Sequence, residues 1–247
     1  MRLSRYVNKL SQTRPPYRSI LAGALVFLAC SLLSATSVSI GPGLASDEVA
    51  LCQAAVSLAK ARSGQVFPWL HSGAMPSVRF FKNGVPGTQA SPWVGGLYHP
   101  QDHRIDIQHV PLLLQQGRLD STLQHEFVHA ALALAGTARL PLWLEEGAAI
   151  YLSGQSLDEV STSVAPARSL AHLEHGFRLT AKSRQQSDWL RLKTYNRQAR
   201  TLVAALAARN GLEHLIGFLR TLKNGTHFSQ ALISWYTLAP EDLAAWL

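Results

Sequence analysis

The spacing of apolar and polar positions changes character along the chain. Ile20 to Leu33 is an almost unbroken apolar run. From Asp47 to Arg62 the apolar positions Val49, Cys52, Val56 and Ala59 recur at helical spacing, with Gly64 beyond the end. A connector through Phe67-Pro68-Trp69 to Pro76 leads to a strand over Ser77–Lys82 and an Asn83-Gly84 turn. A loop follows from Gly84 to Pro92. Gly96–Tyr98 and Arg104–Ile107 can then pair as a hairpin across His99–His103.

Past Val110–Gln115 the period becomes helical. Leu123, Phe127, Ala130, Ala131 and Leu134 define one helix face. Asp120 or Ser121 can cap that helix, Ser121 with Gln124 fits a capping box, and Gly136 can end it. A second helix runs from about Pro141, which suits its first turn, to Gly154. Gln155–Ser169 reads as a polar surface crossing, Leu170–His175 as a short turn, and Lys182–Asp188 as a charged connection. A helix starting at Thr194 carries Leu202 and Leu206 up to Gly211. Helices over Leu212–Lys223, Phe228–Trp235 and Pro240–Leu247 complete the chain. The pattern predicts an α+β protein, with a small strand-containing N-terminal lobe and a helical C-terminal lobe. The two would flank a cleft floored by the central helix.

Composition changes this picture mainly at the N-terminus. A basic lead, the apolar run and a small, polar stretch ending Gly43-Leu44-Ala45 follow the order of a secretory signal. Residues 1–45 are therefore expected to be a signal peptide, or an uncleaved anchor if the apolar run extends through Ile40. Cleavage is the favoured outcome, leaving 46–247 as one domain. Leu28-Ala29-Cys30 is a poor lipoprotein signal, because Phe27 stands where such signals carry leucine. The formal charge is +8, of which Arg2, Arg5, Lys9, Arg14 and Arg18 supply five, leaving +3 for the rest. No basic cluster marks a folded face, so nucleic acid is not an expected partner. Loss of Cys30 with the signal would leave Cys52 alone, a small core residue among Ala54, Ala55, Val56 and Leu58.

The chemistry concentrates in His125-Glu126-Phe127-Val128-His129. Residues four apart share a helix face, so His125 and His129 can direct two imidazoles at one ion. Glu126 can reach a water on that ion without being a ligand. A buried helix with two incidental histidines would give the same five letters. Sixteen and seventeen positions after His129, however, the chain offers Glu145 and Glu146 early on the second helix. A carboxylate there could complete a His, His, Glu set for zinc with the fourth position open. Adjacent helical residues point about 100° apart, so only one of the two glutamates should face the ion. His99, His103 and His109 share no helix and are spaced irregularly; they read as exposed polar residues.

With these residues in hand, the sequence resembles the gluzincin peptidases of the thermolysin and aminopeptidase type. It is closest to the small bacterial peptidase MA-like domains. The resemblance rests on the His125–His129 motif and on Trp143-Leu144-Glu145-Glu146-Gly147-Ala148-Ala149-Ile150-Tyr151, with a weaker match at Tyr195 and Arg209-Asn210-Gly211. It spans roughly Val78 to the C-terminus. It implies a zincin-like fold with one Zn2+ per chain, held by His125, His129 and Glu146. Glu146 is chosen because the family places its ligand directly before the glycine; Glu145 should then matter little to the metal. Gly147 would allow close approach of a neighbouring helix, and Tyr151 would pack beneath the site.

The resemblance makes Glu126 the catalytic base and Tyr195, at a helix start, the oxyanion donor. It makes the hairpin around Leu97 to Ile107 the edge that binds extended substrate. It implies a peptide or protein substrate, and the N-terminal segment implies a chain exported across the bacterial inner membrane, or anchored to it. The family's aminopeptidases carry a Gly-x-Met-Glu-Asn stretch. Gly73-Ala74-Met75-Pro76-Ser77 lacks its Glu and Asn and lies too far upstream, which favours an endopeptidase. The competing expectation is a non-catalytic exported or membrane-tethered binding module that keeps a zinc site.

Overall fold

A mixed four-stranded sheet and ten helices make up the described part of the chain. The computed structural model describes residues 36–72, 75–86, 94–155, 165–180 and 186–247. The α+β class expected from the sequence is what is found, with helix predominating. Strand β1 (Val38–Ile40) is followed by α1 (Ser46–Val66) and a single turn of helix, α2 (Trp69–Ser72). Then come β2 (Ser77–Phe80), β3 (Gly96–His99) and β4 (Arg104–Ile107). The sheet order is β1-β2-β4-β3. β1 and β4 lie parallel to β2, while β3 runs antiparallel to β4 with Gly96 opposite Ile107 and His99 opposite Arg104.

Alternation fixes which face of this sheet is inside. Val78, Phe80, Ile105 and Ile107 are fully buried on one face, while Arg79, Arg104 and Asp106 lie on the other. The expected hairpin is β3–β4, and β3 is the outer strand at its end of the sheet. β1 is the outer strand at the opposite end. It lies inside the stretch assigned above to the signal's polar region. Ser37 O accepts from Val78 N at 2.9 Å and Gly41 N donates to Phe80 O at 2.8 Å, so a cut after Ala45 would remove a paired strand. The basic lead, the Ile20–Leu33 run and Cys30 lie outside the described residues, as do parts of the Gly84–Pro92, Gln155–Ser169 and Lys182–Asp188 connections and of Gly73–Ser77.

The remaining helices are α3 (Val110–Gln115), α4 (Leu119–Leu134), α5 (Leu142–Ser153), α6 (Leu170–Thr180), α7 (Gln186–Asn210), α8 (Leu212–Lys223), α9 (Phe228–Tyr236) and α10 (Pro240–Ala244). α4 is the central element and packs on β3, β4, α1 and α5. Leu119, Leu123, Phe127, Val128, Ala130, Ala131 and Leu132 are all buried, and only the outer end, Leu134, is exposed. A buried polar side chain on such a helix needs a partner; Gln124 Nε2 donates to Ser63 Oγ of α1 at 2.8 Å. Cys52 is fully buried in α1, as expected.

Several boundaries differ from expectation. α4 has no side-chain cap; Arg118 is its N-cap, and Ser121 Oγ donates backwards to Arg118 O at 3.1 Å. The αL glycine Gly117 ends α3 and feeds directly into α4, with Arg118 N bonded to Leu113 O, so the turn itself sets the helix start. Pro141 is the N-cap of α5, and Gly154 ends it at φ 66°. The first turn of α5 receives help from another helix, since Glu174 Oε2 of α6 accepts from Trp143 N at 3.3 Å. Leu170–His175 is the start of a full helix, not a turn, and α7 begins at Gln186, not Thr194. In both cases packing between α6 and α7 stabilises helix that the local pattern does not announce.

At Gly147 a Cβ would stand 2.6 Å from Ala199 O of α7, so α5 and α7 approach backbone to backbone. Among the described residues, no single helix is long and apolar enough to cross a membrane.

Candidate metal centre

Three elements meet at the site: the middle of α4, the first turn of α5, and edge strand β3. His125 and His129 sit one helical turn apart and turn their Nε2 atoms toward each other at 3.1 Å. Glu146 reaches both, with Oε2 3.5 Å from His125 Nε2 and Oε1 3.6 Å from His129 Nε2. One ligand atom from each residue falls within 4.8 Å of the others, so the three could hold a metal ion.

The spacing can be tested against a tetrahedral ion. Bonds of about 2.0–2.1 Å put ligand atoms about 3.3 Å apart along an edge. The His125–His129 edge, at 3.1 Å, matches that spacing, and one Glu146 oxygen lies within 4.8 Å of both nitrogens. Two imidazole nitrogens facing each other at 3.1 Å cannot both present lone pairs without repulsion unless a proton or cation lies between them. The donor set fits.

The charges respond to this crowding. Burial lowers the proton affinity of His129, but Glu146, Glu145 and Glu126 outweigh it and raise the imidazole above its ordinary value. Burial raises the Glu146 carboxyl, but His129 and His125 outweigh it and bring the group below its ordinary range. A cation at this point would supply the positive charge that the Glu146 carboxylate and the facing Nε2 atoms favour.

Glu126 occupies a different position. It is 6% exposed and lies under β3, where a Cβ on Gly96 would come within 2.8 Å of its Oε1. Burial raises its carboxyl above the ordinary range, against the pull of His125 and His129. Tyr98 N–H of β3 donates to it. The pairing register explains why that group is free to do so. Gln108 N bonds to Gly95 O at 2.9 Å, so the hydrogen-bonded pairs of this ladder fall at Leu97–Asp106 and His99–Arg104. The N–H and C=O groups of Gly96 and Tyr98 then point outward, away from β4 and along the free edge.

β3 is held in place by side chains on its outer face. Asp106 is fully enclosed by Arg79 at 2.7 Å, His99 at 3.0 Å and Arg104 at 3.2 Å. Burial raises the Asp106 carboxyl, but Arg79, Arg104 and His99 together bring it below its ordinary value. Tyr98 Oη lies 2.8 Å from His103 Nδ1. The loop histidines are thus structural partners of the hairpin, and none of them belongs to the metal-ligating group. Gln108 spans the start of β3 as well, accepting from Val85 N at 3.2 Å and donating to Val94 O.

Tyr195 is not at a helix start. It lies in the third turn of the 25-residue helix α7. Its ring is buried against α6, 6.2 Å from the Phe177 ring and 6.3 Å from the His172 ring, and a Cβ on Gly176 would strike it. Among the described residues, no hydrogen bond joins Tyr195 to His125, Glu126, His129 or Glu146. Tyr236, the other buried tyrosine of the C-terminal lobe, has its hydroxyl enclosed without a partner.

Two participants were not foreseen from the sequence. One is the Tyr98 N–H as a donor to Glu126; the hairpin was expected as the edge that binds substrate, not as a partner of Glu126. The other is Glu145, whose Oε1 lies 3.4 Å from His129 Nδ1. No protein-family model, curated protein or solved structure matches this chain.

Proposed function

We propose that the chain is a zinc-dependent peptidase of zincin-like architecture, with endopeptidase action favoured. The observation that carries this reading is the convergence of His125 Nε2, His129 Nε2 and Glu146 on one point, with buried Glu126 beside them under an open strand edge. His125, His129 and Glu146 would hold the ion. When bound by three protein ligands, zinc keeps a position for water or a carbonyl oxygen, lowers the pKa of that water to about 7 and polarises the carbonyl.

The protein's own part follows from the geometry. Glu126 takes the proton of the attacking water on its carboxylate and returns it to the leaving amine. Its raised proton affinity suits a group that must hold a proton between two steps. With the Tyr98 N–H given to Glu126, the Gly96 N–H and the C=O groups of Gly96 and Tyr98 are left to hydrogen-bond an extended peptide as an added strand. Gly96, lacking a side chain, lets peptide and carboxylate approach the same stretch of backbone. The substrates are then peptides or proteins, met outside the cytoplasm if residues 1–45 direct export.

Elemental analysis of the purified full chain is the first test, with about one zinc per chain expected. Glu126→Gln should retain that zinc and the parent melting temperature. It should lose roughly 10²–10⁴-fold in turnover of a proteome-derived peptide library, the range for removing a general acid–base group. A parent chain that takes up no zinc on reconstitution, or a Glu126→Gln chain as active as its parent, would overturn the reading.

A further inference from the structure

Glu145 and Glu146 are neighbours near the start of α5, and His129 has one ring nitrogen toward each of them. Nε2 faces Glu146 Oε1 at 3.6 Å and His125 Nε2 at 3.1 Å; Nδ1 faces Glu145 Oε1 at 3.4 Å. Two carboxylates about 100° apart on one helix can therefore address opposite edges of a single imidazole. We propose that Glu145 is a positioning residue of the metal centre: it accepts the Nδ1–H of His129 and thereby holds the tautomer whose Nε2 lone pair faces His125 and Glu146. The inference rests on the zinc reading above and deepens it.

Three features of the surroundings support the assignment. A neutral imidazole carries one proton, and the acceptor at one nitrogen decides which nitrogen is left to bind a cation. Glu145 is the only group paired with His129 Nδ1 among the described residues, and its side chain is one-third exposed, so nothing in the packing of α5 requires a carboxylate there. Burial lowers the Lys223 ammonium at the end of α8, and the charge of Glu145 opposes that fall, so a second charged group acts in the same neighbourhood.

The arrangement is asymmetric. His125 Nδ1 is buried with no partner among the described residues, so His125 is oriented by packing and His129 by Glu145. This reverses the expectation drawn from the sequence, in which Glu145 was the neighbour of little consequence to the metal. Outer partners of metal-bound histidines are worth about 10–100-fold in metal affinity.

The test is zinc affinity of the purified full chain, measured by competition with a chromophoric chelator, alongside the melting temperature of each zinc-free protein. Glu145→Ala is expected to melt near the parent temperature and to bind zinc about 10–100-fold more weakly. Glu145→Gln keeps an acceptor oxygen for the Nδ1–H and is expected to recover part of the loss. A merely structural carboxylate would show no such graded recovery. Should Glu145→Ala fail to fold, Glu145→Met keeps the stem without the acceptor and carries the same expectation. A folded Glu145→Ala or Glu145→Met chain with parent zinc affinity overturns this inference and leaves the zinc reading standing. A parent chain that binds no zinc overturns both.

Discussion

The hydroxyl of Tyr195 is where the residue-scale argument is most open to experiment. Its ring is fixed by Phe177, His172 and the bare face of Gly176, while among the described residues no hydrogen bond commits the hydroxyl. Tyr236 is a poorer candidate for an oxyanion donor, since its hydroxyl is enclosed, and burial pushes that phenol well above its ordinary value. If Tyr195 donates to the developing charge, Tyr195→Phe should lower kcat by roughly 10²–10³. Zinc content, melting temperature and KM should stay near parent values, because such a bond forms mainly in the transition state. Parent-rate turnover by Tyr195→Phe would instead assign the ring to packing between α6 and α7. Glu126 differs from Tyr195 in being legible from sequence alone, since its place is set by the helix that carries the two histidines.

Among the elements, β1 has the clearest consequence. It is three residues long, parallel to β2, and covers the β2 edge beside fully buried Val78 and Phe80. A chain beginning at Ser46 would leave that edge unpaired, with the N–H of Val78 and the C=O of Phe80 losing their partners. Each kcal/mol lost lowers the melting temperature of a domain this size by about 2–4 °C. Paired thermal melts should therefore place the chain starting at Ser46 several degrees below one starting at Ala35. Equal melting temperatures would show that β1 adds nothing to the fold. Among the described residues, no strand pairs with the outer edge of β3, beside the metal-ligating group. Its hydrogen-bonding groups are directed outward by the register with β4, which no local pattern in Gly96–His99 announces.

For the molecule as a whole, the question is whether a metal ion builds the fold or only arms it. The core extends from α1 and the sheet through α4 to α10 and is made of apolar contacts that do not pass through the three ligands. Chelation should therefore abolish turnover while leaving helix content in place and shifting the melting temperature only by the linkage of a lost ligand. Wholesale unfolding on chelation would mark the ion as structural and favour a binding module that keeps zinc without chemistry. Far-ultraviolet circular dichroism with and without chelator separates the two outcomes.

The sequence by itself determined what depends on short-range spacing. His125 and His129 lie four apart on one helix, so their common face follows from the period, and Glu126 follows directly beside them. The α+β class, the β3–β4 hairpin and the glycine at the end of α5 follow from period and turn chemistry in the same way. Tertiary structure decided everything that depends on which surfaces meet. Adjacent glutamates cannot be told apart by spacing, and only the docking of α5 on α4 sends Glu146 to the two Nε2 atoms and Glu145 to His129 Nδ1. The early start of α7 and the full length of α6 come from their mutual packing. β1 hides in a stretch whose composition suits a leader as well as a strand, because a three-residue parallel strand takes its stability from the neighbour it pairs with and not from its own sequence.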